Sequence, residues 1–192
     1  MLFRSMHVNN ETGIIQPVKE IGDALAAQGI LFHVDATQSC GKLIEQIRDL
    51  KYDMLSLSAH KFRGPQGIGV LVLREKKYKL PPVKNISFGG QQEHGIRPGT
   101  IPVALVAGMG KACELALEEH DEEALKNRVI KEELLKLLNS EGVQYELNGE
   151  LRFSVDTTLN VCFNEVSSEA LMIATKRFCA VSNGSEIGRA HV

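Results

Sequence analysis

Cysteine is scarce in this 192-residue chain: Cys40, Cys113, Cys162 and Cys179 form no C-x-x-C pair and stand at no zinc-type spacing from the histidines. That excludes a scaffold held by disulfides or zinc and leaves four reduced thiols. Cys113 falls on an apolar helical pattern and Cys162 within a strand pattern, so both are expected to pack in a core. Cys40 is not expected to act as a nucleophile. No apolar run approaches the length of a membrane span, and Met1-Leu-Phe-Arg4 is too short for a signal peptide. The chain therefore reads as cytoplasmic, without a membrane partner. Excess charge is missing too. The net charge is -2, and the one short basic cluster, Arg74-Glu-Lys-Lys-Tyr-Lys79, reads as a solvated strand exit, which excludes direct nucleic-acid binding.

What remains is an ordinary globular composition, 43% hydrophobic and 24% charged. Within it, the apolar run Asp53-Met-Leu-Ser-Leu-Ser58 ends in Ala59-His60-Lys61 and is followed by Gly64-Pro-Gln-Gly67. A second strand-like run, Leu31-Phe-His-Val-Asp35, ends in Ala-Thr-Gln38-Ser39. In a parallel α/β sheet such polar strand ends share one edge, where ligands bind. A lysine and an aspartate there suit pyridoxal 5'-phosphate (PLP): an amine for a Schiff base and a carboxylate for the pyridinium nitrogen. Taken singly, Lys61 also reads as a solvated strand end and Asp35 as a helix N-cap.

The order of elements supports an α/β fold. Met6 to Asn10 reads as a strand end, and Pro17 opens a helix with Val18, Ile21 and Leu25 on its apolar stripe and Gly29 as its stop. Strands are expected at Ile30 to Val34, Met54 to Ser58 and Ile68 to Leu73, with a short helix near Thr37 to Gly41. Apolar strands alternating with helices predict a mostly parallel sheet covered on both faces. Phe88 to Thr100 has no periodicity and reads as a loop. From Pro102 to about Leu138 a long helical stretch, broken near His120-Asp121, carries Val103, Val106, Cys113 and Leu117, then Leu125, Val129, Leu134 and Leu137, as its apolar side. Gln144 to Leu147 and Thr158 to Phe163 read as strands, and Ser168 as the cap of a last helix reaching Lys176.

The strings His33-Val-Asp35-Ala-Thr-Gln38-Ser39 and Ser58-Ala-His60-Lys61 resemble the cysteine desulfurases, class V members of the fold-type I PLP enzymes. Met6-His-Val-Asn-Asn10-Glu11 and Arg97-Pro-Gly-Thr100 extend the resemblance, which runs from about Met6 to Ser185. It implies a large PLP-binding domain at 1–101, a linking helical segment at 102–140 and part of a small α+β domain at 141–185. It also implies roles. Lys61 would be the catalytic lysine that holds PLP and moves the α-proton, and Asp35 would face the ring nitrogen. Gln38 would bond the phenolic oxygen, and Ser58 and His60 would contact the phosphate. Asn10 would lie near the cofactor and the substrate carboxylate, and Thr100 would reach the phosphate of a partner subunit. The implied reaction converts L-cysteine to L-alanine and passes persulfide sulfur to an acceptor protein from a homodimer. The Val-Asp-Ala-Thr-Gln string and Val181-Ser-Asn-Gly184-Ser185 fit the branch that serves iron-sulfur cluster assembly and thiolation. The Ser-Asn-Gly-Ser version also resembles desulfurases that supply DNA backbone modification. A selenocysteine lyase, an aminotransferase or an inert piece are the alternatives.

The likeness stops at Ser185. Where the family pattern has Ala and then the persulfide cysteine, the chain reads Glu186-Ile-Gly-Arg-Ala-His-Val192. Ile187-Gly-Arg-Ala-His-Val192 is what ATC-GGA-AGA-GCA-CAC-GTC, a string of a common sequencing adapter, would encode, so 186–192 is expected to be a non-native tail. The family's phosphate loop, ring-stacking histidine and C-terminal arginine are also expected to lie outside the sequence, and the 192-residue piece is expected to bind PLP poorly.

Overall fold

The computed structural model describes residues 1–183. Its chain divides into two compact units, Met1–Val8 with Ile15–Glu123, and Asn9–Ile14 with the chain from Ala124 onward. The expected non-native tail at 186–192 lies outside the described residues.

The first unit is built on a four-stranded sheet in the order β1 (Leu2–Met6), β2 (Leu31–Asp35), β3 (Met54–Ser58), β4 (Gly69–Leu73). The first three strands are parallel, and β4 returns antiparallel, pairing Ser58 with Gly69 and Met54 with Leu73. Helix α1 (Val18–Ala27) makes the crossover from β1 to β2. Gly29 ends it with φ +67°, a left-handed conformation that lets Ile30 N–H bond back to Leu25 O at 3.0 Å. On one face of the sheet Phe32 and Val34 pack with Val18 and Leu50, all at most 3% exposed. Each such side chain contributes roughly 2 kcal/mol of burial. The opposite face carries Arg4, His33, Asp35, Ser56 and Ser58; of its apolar members Leu2, Met6 and Leu71 are 55%, 43% and 47% exposed, while Met54 is buried.

Several local expectations shift. The strand expected to end between Met6 and Asn10 ends at Met6. Thr37 to Gly41 forms turns rather than a helix, and helix α2 (Ile44–Asp49) follows instead. Six residues with two isoleucines are too short a pattern to signal a helix.

Helix α3 (Val103–Glu118) buries Met109 and Ala112 against Ala59 and Phe62, while Val103, Val106 and Leu117 are exposed. Its buried stripe is thus rotated from the expected one, towards the smaller residues that permit close approach. Cys113 is exposed on α3. Helix α4 (His120–Ser140) likewise leaves Leu125, Val129, Leu134 and Leu137 exposed and buries Lys131.

In the second unit β5 (Tyr145–Leu147) pairs antiparallel with β6 (Val161–Phe163), and Cys162 of β6 is exposed, not packed. The last helix, α5 (Ser168–Thr175), is capped by Ser167 rather than Ser168, with Ser167 Oγ accepting from Ala170 N–H at 3.5 Å. No described helix is long and apolar enough to cross a membrane.

Two buried polar groups matter to stability. Asp53, 6% exposed, accepts the backbone N–H of Phe32 at 2.8 Å and the Lys76 ammonium at 2.7 Å, fastening the start of β2 to the strand entry of β3. His7, 1% exposed, donates Nε2–H to Gln46 Oε1 at 3.3 Å, and its Nδ1 has no partner among the described residues. Burial holds the His7 pKa below the ordinary histidine value, with the Gln46 bond opposing weakly. Because the native imidazole resists a proton that the unfolded chain accepts, stability should be full above about pH 6.5. It should fall as pH drops from there toward the lower native value, by at most about 1.4 kcal/mol per pH unit. Urea melts at pH 7.5 and 5.5 check this: the His7→Leu variant should lose less stability than wild type between the two, and equal losses would refute it.

Candidate functional site

β2 and β3 are neighbours in parallel register, Asp35 opposite Ser56, so their carboxyl ends open on one sheet edge. Ala36 N–H bonds Ser56 O at 2.8 Å and holds the two exits together. Asp35 is exposed, and its Oδ1 accepts the N–H of Thr37 at 2.9 Å, starting the turn that carries half-buried Gln38. Among the described residues no cation pairs with Asp35.

From β3 the chain enters a single 3-10 turn, Ala59–Phe62. Ala59 and Phe62 point into the cluster with Met109 and Ala112, which leaves His60 and Lys61 facing solvent. Arg63 closes the turn at φ +65°, and its guanidinium pairs with Glu119 at 3.3 Å and Glu123 at 2.6 Å. Ser58 Oγ and His60 Nδ1 lie 2.9 Å apart. Lys61 makes no hydrogen bond or ion pair among the described residues. What it meets is another cation: burial first, and then the charge of Lys61, hold the half-buried Lys42 ammonium below the ordinary lysine value.

Asp35, Gln38, Ser58, His60 and Lys61 are thus gathered at one edge of one sheet. Thr100 is exposed in the loop before α3, beside the Arg97 Nη1 to Gly99 O bond of 3.3 Å. Asn10 belongs to the second unit, exposed at the tip of the Asn9–Ile14 turn. Two further polar residues join the edge without having been anticipated. His33 shares the face of Asp35 and sits 3.1 Å from Ser56 Oγ through Nε2; the two-residue alternation back from Asp35 was the available signal. Lys42 comes near through the Ser39–Lys42 turns, which no sequence period reveals.

Cys40 packs half-buried against the cluster beneath Lys61, and burial pushes its thiol up to about 11, with Cys113 adding to the effect. At pH 8 its thiolate fraction is about 100-fold below that of an ordinary exposed thiol. Iodoacetamide should therefore label Cys162 and Cys179 on the native protein long before Cys40. Comparable labelling rates at the three sites, read by mass spectrometry, would contradict this environment.

A lysine and a carboxylate that have no ion-pair partner among the described residues leave neighbouring parallel strands, with a hydroxyl–imidazole pair, Ser58 and His60, at the same edge. Residues 1–189 match the aminotransferase class-V family, and the chain belongs to it. Within that family it is similar to cysteine desulfurases. It is 46% identical over 185 residues to cysteine desulfurase IscS of Edwardsiella ictaluri (strain 93-146), covering 96% of this chain and 45% of that protein. It is 40% identical over 181 residues to a probable mitochondrial cysteine desulfurase of Dictyostelium discoideum, covering 94% of this chain and 39% of the relative. The fold matches the crystal structure of DndA from Streptomyces lividans with a TM-score of 0.84 at 37% identity, over 92% of this chain and 49% of that one. It also matches SspA in complex with cysteine, with a TM-score of 0.73 at 34% identity, over 97% and 50% of the two chains. The chain therefore spans about half the length of the relatives it matches.

Proposed function

We propose that this chain carries the lysine-bearing part of a PLP-dependent cysteine desulfurase, which converts L-cysteine to L-alanine and delivers the sulfur as a persulfide for iron-sulfur cluster assembly or thiolation. The observation that carries this is the shared edge from which Asp35 and Lys61 emerge, neither in an ion pair among the described residues. The residues present fit the cofactor: an accessible primary amine, a carboxylate available to a ring nitrogen, and a hydroxyl–imidazole pair, Ser58 and His60, suited to a phosphate. When bound, PLP supplies an electron sink for the carbanion that forms at the substrate α-carbon.

The rest is the work of the chain's own groups. Lys61 Nζ would hold the cofactor and, once freed, would move the proton at the substrate α-carbon. Asp35 would face the ring nitrogen and hold a proton on it. Gln38 orients the phenolic oxygen, and Ser58 and His60 orient the phosphate. Asn10 holds the substrate carboxylate, and Thr100 completes the phosphate site of a partner subunit in a homodimer. The cytoplasm is the compartment this reading favours, in keeping with cysteines that are expected to be reduced.

Product analysis tests the proposal. A full-length desulfurase carrying this segment, supplied with PLP, L-cysteine and dithiothreitol, should release alanine and sulfide in equal amounts. Formation of a keto acid in place of alanine would mark an aminotransferase, and no turnover of L-cysteine with turnover of L-selenocysteine would mark a selenocysteine lyase.

A further inference from the structure

We propose that Lys131 is a positioning residue for Asn10: its buried ammonium fixes the Ser154–Val155 segment against which the Asn9–Ile14 turn is built. The claim rests on the reading of Asn10 as a substrate-side residue and adds what holds it there.

Lys131 lies in the middle of α4 and is only 9% exposed. Its Nζ donates to Ser154 Oγ at 2.6 Å and to Val155 O at 2.9 Å. One turn earlier, Arg128 Nε and Nη2 bond Asp156 Oδ2 at 3.3 and 3.2 Å. Two cations spaced i and i+3 on one helix face therefore grip three consecutive residues, 154 to 156. A lysine in this place is costly. Burial lowers its pKa, and Asp156 offsets that only in part. A methionine would fill the same space without that cost, so packing alone does not account for the ammonium.

The other side of the gripped segment holds the Asn10 turn. Val155 N–H bonds Gly13 O at 2.9 Å, and Ile14 bridges Ser154 antiparallel. Gly13 sits at φ +72° so close to Thr158 that an added Cβ would come within 2.7 Å of the threonine Cβ. Asn160 Nδ2 bonds Glu11 O at 3.2 Å. Inside the turn, Asn9 N–H bonds Ile14 O at 2.9 Å, and Asn9 Oδ1 accepts the N–H groups of Glu11 and Thr12, both at 2.9 Å. Every backbone end of the turn is thus tied down, whereas the Asn10 side chain makes no hydrogen bond among the described residues. A rigid turn that presents one free amide is what a binding residue requires. The chain of contacts runs Lys131, Val155, Gly13 and, through the Gly13 N–H to Asn9 O bond of 3.0 Å, Asn9, the residue that precedes Asn10.

Hydrogen exchange on the full chain tests this without using catalysis. Lys131→Met keeps the stem and removes the ammonium. The amides of Val155, Gly13 and Asn9 should then exchange about tenfold faster or more, while those of Phe32 and Asp53 and of the β5–β6 ladder keep their wild-type rates. Unchanged exchange at the three turn amides overturns the proposal, and so does uniform loosening of the whole second unit. Should Lys131→Met fail to fold, Ser154→Ala, which removes one acceptor and leaves the lysine, is read at the same three amides. In the active enzyme Lys131→Met should raise the KM for L-cysteine in the same direction as Asn10→Ala. If Asn10→Ala leaves KM unchanged, the role assigned to Asn10 is wrong, and exchange alone then decides whether Lys131 fixes the turn.

Discussion

Replacing Lys61 with alanine is expected to abolish alanine release from L-cysteine in a full-length desulfurase carrying this segment, by a factor on the order of 10^4 or more, since both the attachment point and the proton-moving base are lost. The fold should barely notice. Lys61 is exposed, makes no hydrogen bond among the described residues, and lies between Ala59 and Phe62, the residues that hold the turn to α3. Surface changes of this kind cost within about 0.5 kcal/mol. The Tm should therefore stay near wild type while the visible absorption of protein-bound cofactor disappears. A variant that still produced alanine at a comparable rate would remove Lys61 from the chemistry and, with it, the functional assignment of this sheet edge.

The second large effect is expected for Asp35→Asn. The asparagine keeps an Oδ1 acceptor for Thr37 N–H, the one hydrogen bond seen at this side chain, so the turn bearing Gln38 should survive. What it loses is the negative charge. A neutral amide cannot hold a proton on the ring nitrogen, and removing an adjacent opposite charge typically moves a pKa by 1 to 3 units, so turnover should drop by roughly 10- to 1000-fold. Asp35→Glu keeps the charge but moves it outward by one methylene, and should retain more activity than Asp35→Asn. The reverse order of the two variants would mean that the turn matters rather than the charge.

How far the sequence could be read depended on whether a residue's position follows from its neighbours in the chain. The edge that gathers Asp35, Ser58, His60 and Lys61 was legible because strand alternation and apolar runs fix it locally. The antiparallel return of β4 was not, since its Val-Leu-Val run looks the same in either direction. Helix faces misled for a different reason. α3 buries Met109 and Ala112 and α4 buries Lys131, while Val103, Val106, Leu117, Leu125, Val129, Leu134 and Leu137 stay exposed. A count of apolar residues favours the latter, because close approach and specific hydrogen bonding do not register as hydrophobicity. The attachment of the Asn9–Ile14 turn to residues far along the chain, through pairs such as Asn160 with Glu11, 149 positions apart, leaves no local trace at all.

The pairing of β3 with partners on both sides sets rules for how this site tolerates change in length. β2 holds Asp35 opposite Ser56, and β4 holds Gly69 opposite Ser58, so the phase of β3 is locked from two directions. Deleting one residue within Met54–Ser58 would flip the residues on one side of the cut to the other face of the sheet; loss of Leu55, with the strand entry held, would turn Ser56 and Ser58 toward the core and Leu57 onto the ligand side. Between Arg63 and Ile68 no such phase exists, and the connection back to β4 could gain or lose a residue while Lys61 keeps its place. Insertions in natural or selected variants should accordingly collect in that short span and be absent from the five residues before it.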